Sequence, residues 1–173
     1  MTQEEFYQEW YLSVNAAIKG AYYAKQIAKA RNDMRIGTVP YDEALRVCDV
    51  WDLGKGPKMA VGLYQNDGVH PRMINYVEGT ESDGIPQMIA KLQEIQQKEG
   101  YVWGKHFAPH DIRATDLSTG KTRWDTSKAL GWEFEIVPEL NVDDGIEEGR
   151  KFFAKLYVDE KRCEKWLDAI PLY

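Results

Sequence analysis

Two aspartates close β-rich runs in this chain. Asp52 ends the run RVCDVWD (46–52), and Asp111 follows GKHFAP (104–109) in the triplet Pro109-His110-Asp111. Carboxylates at the ends of neighbouring strands can converge on a divalent cation, and hard oxygen donors suit Mg²⁺ or Mn²⁺. A pair of such ions hydrolyses a phosphodiester: one generates a hydroxide nucleophile and the other stabilises the leaving oxygen. If the two strands are parallel neighbours, Asp52 and Asp111 stand about one strand spacing apart, roughly 5 Å. Glu78 ends a third run, RMINYVE (72–78). It lies two strands from Asp52, roughly 10 Å away, which makes it a candidate for contact through a ligand or through water rather than directly. Asp49 falls on the opposite face from Asp52, because an odd separation switches faces in a strand.

Each of these residues also has an ordinary structural reading. Asp52-Leu53-Gly54 has the composition of a simple turn, and Asp111 can cap the segment after it. His110 can orient Asp111, bind substrate or merely finish a strand, while His70 and His106 read as structural. Arg113, Lys121, Arg123 and Lys128 cluster after Asp111, around the polar loop STGKTR (118–123). They are candidates for contacts with DNA phosphates, and equally for a solvated surface.

The elements that must hold these residues follow from pattern. The first thirty residues read as one long helix, rich in Ala, Lys and aromatics from Ser13 to Ala30, with Tyr7, Trp10, Tyr11, Tyr22 and Tyr23 as packing aromatics. Gly37 and Pro40 then break it. Strands are expected at 46–52, 58–65 and 72–78, the last two joined by the turn signal Asn66-Asp67-Gly68. A helix follows, with Asp83 as its cap, Pro86 in its first turn, Ile85, Met88, Ile89, Leu92 and Ile95 as its apolar stripe, and Gly100 past its end. Strands at 104–109 and 133–137 flank a short helix at 124–130. Two more helices are expected, one capped near Asp143 with Phe152, Phe153 and Leu156 on its apolar face, the other at 159–168. The order β-β-β-α-β-α-β-α resembles the ribonuclease H-like pattern: an α/β fold with a mixed five-stranded sheet, three antiparallel strands and then helix-linked parallel ones, flanked by helices. Residues 1–40 are a helical extension and 41–173 the core of a single domain.

Composition bounds the function classes. At 173 residues, with 43% apolar and 29% charged side chains, the chain suits one soluble globular domain. No apolar run approaches the roughly 18 residues of a membrane span, and the N-terminus lacks the features of a signal peptide. Cys48 and Cys163 lie far apart without a CxxC partner, which fits neither zinc nor a disulfide framework and suits a reducing, cytoplasmic setting. The net charge of −6 weighs against nucleic acid, but the charge is segregated. Acids cluster at 139–148, and bases gather around 113–128.

The ordered segments IKGAYYAKQIAKA (18–30), VPYDEALRV (39–47), WDLG (51–54), HFAPHDIRATDLSTGKTR (106–123) and GIEEGRKFFAKLYVDEKRCEKWLDAIPLY (145–173) resemble the C-terminal nuclease domain of phage terminase large subunits. The resemblance spans almost the whole chain. It implies a Mg²⁺- or Mn²⁺-dependent endonuclease, with Asp52 and Asp111 as first and second metal ligands, that cuts concatemeric double-stranded DNA during packaging. It also implies the portal protein and the small terminase subunit as partners, and host-cell or prophage expression in the cytoplasm. Two departures bear on activity. The family's third acid belongs to a later His-x-Ala-Asp-Ala motif, before which this chain ends, so the final catalytic helix is missing and weak or absent cleavage is expected. Gly56-Pro57-Lys58 stands where the family often has another Asp. No Walker-type phosphate loop is present. A non-catalytic module docking DNA or the portal, or another ribonuclease H-like nuclease such as a junction resolvase or integrase, are the competing readings.

Overall fold

The structure, a computed structural model, describes residues 22–54, 59–115 and 120–172. The chain runs through α1 (Ala24–Asn32), β1 (Ile36–Gly37), β2 (Val47–Asp52), β3 (Ala60–Asn66), β4 (Pro71–Glu78) and α2 (Ile85–Glu99). It continues through β5 (Trp103–Ala108), a 3-10 turn (His110–Arg113), α3 (Arg123–Ala129), β6 (Phe134–Ile136), α4 (Val142–Phe153), β7 (Tyr157–Asp159), α5 (Glu164–Ala169) and a last 3-10 turn (Ile170–Leu172).

One sheet carries all the described strands in the order β1-β7-β4-β3-β2-β5-β6. β2–β3 and β3–β4 are antiparallel, whereas β2–β5 and β5–β6 are parallel. The expected five-stranded core is therefore present, with its first strand central and its fourth alongside. Two short strands extend it: β7 adds parallel to β4, and β1 parallel to β7. Asp159 closes β7 and residues 160–163 form a turn, so the helix expected at 159–168 shrinks to α5. The fragment Tyr157-Val158-Asp159 is too short to reveal a period of two, and its partners at 36–37 and 72–73 are remote in sequence. Of the helix expected over the first thirty residues, residues 1–21 lie outside the described residues, Tyr7, Trp10 and Tyr11 among them, as does Lys58. The described part is helical from Ala24.

Alternation sets the two faces. In β2, Val47, Asp49 and Trp51 are buried, while Cys48, Val50 and Asp52 point the other way. The first face packs Val47, Trp51, Val61, Leu63 and Ile74 against Ile85, Met88, Ile89 and Leu92 of α2. Each such side chain, fully buried, contributes roughly 1.5–3 kcal/mol. α2 is fixed at both ends by Pro86 in its first turn and by Gly100 at φ 72°, a left-handed conformation that favours glycine. Its N-cap is Gly84 rather than Asp83. The Asp83 carboxylate instead accepts from Thr80 Oγ1 at 2.8 Å and Lys91 Nζ at 2.7 Å.

On the opposite face a second cluster covers only the β4–β7 half, where Met73, Tyr64 and Tyr76 meet Phe153, Leu156, Trp166 and Leu167. Leu156 reaches this cluster from beyond the end of α4 rather than from within the helix. α4 is capped by Asn141, whose side chain accepts from Asp144 N at 2.9 Å, not by Asp143. No described helix is long and apolar enough to cross a membrane.

Candidate metal centre

β2 and β5 run parallel, and their carboxyl ends lie side by side. The register pairs Asp49 with His106 and Val50 with Phe107. Extended along both strands, it sets Asp52 level with Pro109, one residue before His110 and two before Asp111. Both aspartates are solvent-exposed. Asp52 Oδ1 accepts from Gly54 N at 3.0 Å, so the turn reading of Asp52-Leu53-Gly54 holds alongside any other role. The carboxylate keeps a second oxygen with no donor among the described residues. Asp111 sits in the 3-10 turn, and its backbone carbonyl accepts from Ala114 N at 2.9 Å. Its side chain has no hydrogen-bond or ion-pair partner among the described residues. Hard, exposed carboxylates at the end of one strand and in the turn after its neighbour have the donor chemistry that Mg²⁺ or Mn²⁺ requires. Among the described residues, no cluster of three or more His, Cys, Asp or Glu side chains could complete such a site.

Glu78 occupies the same row and face as Asp52, since Asp52 pairs with Ala60 and Ala60 with Glu78. Two strand spacings separate them, roughly 10 Å. Its oxygens are already engaged: Tyr76 Oη donates to Oε1 at 3.2 Å, and Lys165 Nζ lies 3.6 Å from Oε2. The Tyr76 phenol is pushed up, first by burial and then by the Glu78 charge and hydrogen bond, with the Asp52 charge adding to them. Tyr76 and Lys165 are neighbours of this site that sequence reasoning missed. Tyr76 had a signal, because it is two residues from Glu78 and so on the same face. Lys165 had none, as it depends on where α5 lands.

The remaining candidates divide. His110 lies 3.9 Å from Glu139, both largely exposed, and no hydrogen bond joins it to Asp111. Arg113 stacks its guanidinium 5.4 Å from the Trp124 ring centre, a cation–π geometry. Thr115 and Thr122 form a bridge closing the loop, of which residues 116–119 are not described. Beyond it, Thr122 caps α3. Arg123 opens that helix and Lys128 lies in its last turn, and the charges of Lys121 and Lys128 help to lower the Asp125 carboxyl, after the larger effect of its hydrogen bonds from Thr122. The bases thus gather on the segment that follows Asp111. A cleft of about 1020 Å³ elsewhere, lined by residues including Arg31, Tyr41, Glu99, Asp159 and Arg162, includes none of the candidate acids.

No protein-family model and no curated protein matches this chain. Solved structures do. The nuclease domain of the phage P22 large terminase aligns at TM-score 0.55 and 17% identity, over 81% of this chain and 75% of that one. The fold is that of a large-terminase nuclease domain. A large terminase from a thermophilic bacteriophage aligns at TM-score 0.60 and 12% identity, covering 80% of this chain but only 34% of that protein. This chain therefore matches about a third of that terminase's length. The nuclease domain of the phage SPP1 large terminase, solved with bound Mn, aligns at TM-score 0.52 and 11% identity, over 78% of this chain and 75% of that one. At these identities the likeness establishes the terminase nuclease fold and leaves the activity to the residues.

Proposed function

We propose that this chain is a metal-dependent endonuclease domain of a viral DNA-packaging terminase, acting on double-stranded DNA. What supports this reading is Asp52 at the carboxyl end of β2 and Asp111 in the turn that follows its parallel neighbour β5, within a terminase nuclease fold. Asp52 and Asp111 would hold a divalent ion, Mg²⁺ or Mn²⁺, which supplies an activated hydroxide and neutralises developing charge on the phosphate. The chain's own groups do the rest. Arg113, Lys121, Arg123 and Lys128 flank the acids on one segment and would track the phosphate backbone. Tyr76 and Lys165 hold Glu78 beside the site rather than in it. In the assembled packaging machine, the portal and the small terminase subunit would be further partners.

The test is nicking of supercoiled plasmid in Mn²⁺. Nicking by the parent chain, weak with only two acids, should stop with EDTA, and Asp52→Ala and Asp111→Ala should each reduce it to background. Cleavage that persists in either variant removes that residue from the site. One observation favours a second reading: among the described residues no group of three or more His, Cys, Asp or Glu side chains could hold a metal ion. A non-catalytic DNA-docking module would retain salt-sensitive DNA binding without nicking at any Mn²⁺ concentration.

A further inference from the structure

Beneath the site, on the buried face of the same two strands, lies a polar pair that the proposed chemistry does not use. Asp49 is fully buried. Its Oδ1 accepts from Trp51 Nε1 at 2.6 Å, and its Oδ2 is bonded to His106 Nδ1. The imidazole is held in place: the Trp132 ring lies 4.1 Å away, centre to centre, at 31°, and Trp103 and Phe134 present edges at 6.0 and 6.5 Å. Asp49 and His106 are also direct cross-strand partners.

This pair sits just past an irregularity. Val47 faces Trp103, yet Asp49 faces His106, so β5 advances three residues where β2 advances two. The extra residue is accommodated around Gly104, where a Cβ would come within 2.9 Å of Arg46 Cβ and 3.1 Å of Cys48 Sγ. Such a bulge leaves the register downstream to be decided by side chains, since a slip of one residue turns every later side chain to the other face. A slip here would set Asp49 against Lys105 or Phe107. In the first register the carboxylate would exchange His106 for an ammonium drawn into an aromatic core, and in the second Phe107 offers it no donor.

We propose that the Asp49–His106 hydrogen bond is the register lock of the β2–β5 pair and thereby the positioning device for Asp52 and Asp111. The proposal rests on the reading of those two acids as one metal site. Asp52 is three residues beyond Asp49 and Asp111 is five beyond His106, so the lock sets which residue after β5 stands beside Asp52. A one-residue slip displaces Asp111 by ~3.3 Å along the strand direction.

Two measurements separate the lock from the site it serves. The first is Mn²⁺ affinity, followed by the electron paramagnetic resonance signal of free Mn²⁺. His106→Ala should weaken binding about 10-fold, the scale of losses from outer-shell changes at metal sites. His106→Asn, whose amide can stand in for Nδ1–H, should recover most of it, and Leu167→Ala, in the other core, should leave it unchanged. The second is the cross-strand nuclear Overhauser contact between Val50 and Phe107, which His106→Ala should lose and Leu167→Ala should keep. Unchanged affinity and an intact Val50–Phe107 contact in His106→Ala overturn the proposal, as do equal affinity losses in His106→Ala and Leu167→Ala. If Asp52→Ala leaves Mn²⁺ binding untouched, the metal site fails and with it the positioning role, while the register contact still reports on the lock itself.

Discussion

At the scale of single residues, the acids of this chain have divided tasks according to their donors. Asp52 and Asp111 keep lone pairs available, whereas Asp83 commits its own to Thr80 and Lys91. Those donors hold the Asp83 carboxyl at about 2, against an ordinary 3.8, with the Lys91 hydrogen bond the largest cause. A carboxyl depressed in the folded state stabilises above its unfolded value and loses that contribution as pH falls through its folded value. Stability should therefore decline between about pH 4 and pH 2, and Asp83→Asn should flatten that part of the profile, measured as urea midpoints across the window. An unchanged slope would assign the acid sensitivity elsewhere, Asp67 being the first alternative, as backbone donors at His70 and Val69 also hold its carboxyl at about 2. Cys163 shows the converse effect, for burial pushes its thiol up to about 12. At about pH 8, well below that value, it should resist iodoacetamide until the protein unfolds, which peptide mass mapping with and without urea would show.

Among the elements, α3 has the most exposed task. It follows the loop after Asp111, carries Arg123 and Lys128, and supplies the Trp124 ring against which Arg113 stacks. Its start depends on one side chain: Thr122 Oγ1 accepts from Asp125 N at 3.0 Å and donates to Asp125 Oδ2 at 2.6 Å. Thr122→Ala should cost about 1 kcal/mol, a melting shift of roughly 2–4 °C for a domain of this size, and should weaken DNA binding if α3 lies against the backbone.

How far the sequence revealed such elements depended on how local their determinants are. α2 could be read outright, because its stripe, its proline and its terminal glycine all lie within Ile85–Gly100. The cap of α4, expected near Asp143, is Asn141, since several side chains there can cap a helix and the backbone path chooses between them. β7 was hidden, because so short a segment becomes a strand only through partners far away in the chain, at 36–37 and 72–73. The same logic holds at the candidate site. Asp52 was legible as a strand end, Asp111 falls in the 3-10 turn beyond β5 rather than at its end, and Tyr76 was implicit in the period of β4. Lys165 was illegible, for it reaches Glu78 only after β7 has directed the chain back across the sheet.

For the molecule as a whole, a few buried polar side chains join distant segments. Arg35 is buried between α1 and β1, and its Nη1 donates to the carbonyls of Phe153 at 3.0 Å and Leu156 at 2.7 Å, where α4 ends. Asp159 accepts from Val39 N at 3.0 Å and Arg162 N at 2.9 Å, and Gln65 fastens the segment entering β2 through Asp42 and Leu45. Arg35→Ala would leave two carbonyls buried without a donor, at roughly 2–3 kcal/mol for a lost charged hydrogen bond. Denaturant unfolding should show that loss. Amide exchange should locate it in β1, β7 and α4, leaving the β2–β5 pair protected; uniform loss of protection would mean the two cores unfold as one.

The extension of the sheet by β1 and β7 has a consequence for how copies of this chain meet. Without it β4, an eight-residue strand, would end the sheet with a long row of unpaired backbone groups, a template on which another chain could add. β7 pairs with it at Arg72 and Met73, and among the described residues the sheet ends in the two residues of β1 and the three of β6. Those two margins offer few hydrogen bonds to a foreign strand, whereas β4 beyond Met73 has no strand partner on that side among the described residues, so an added strand would start there.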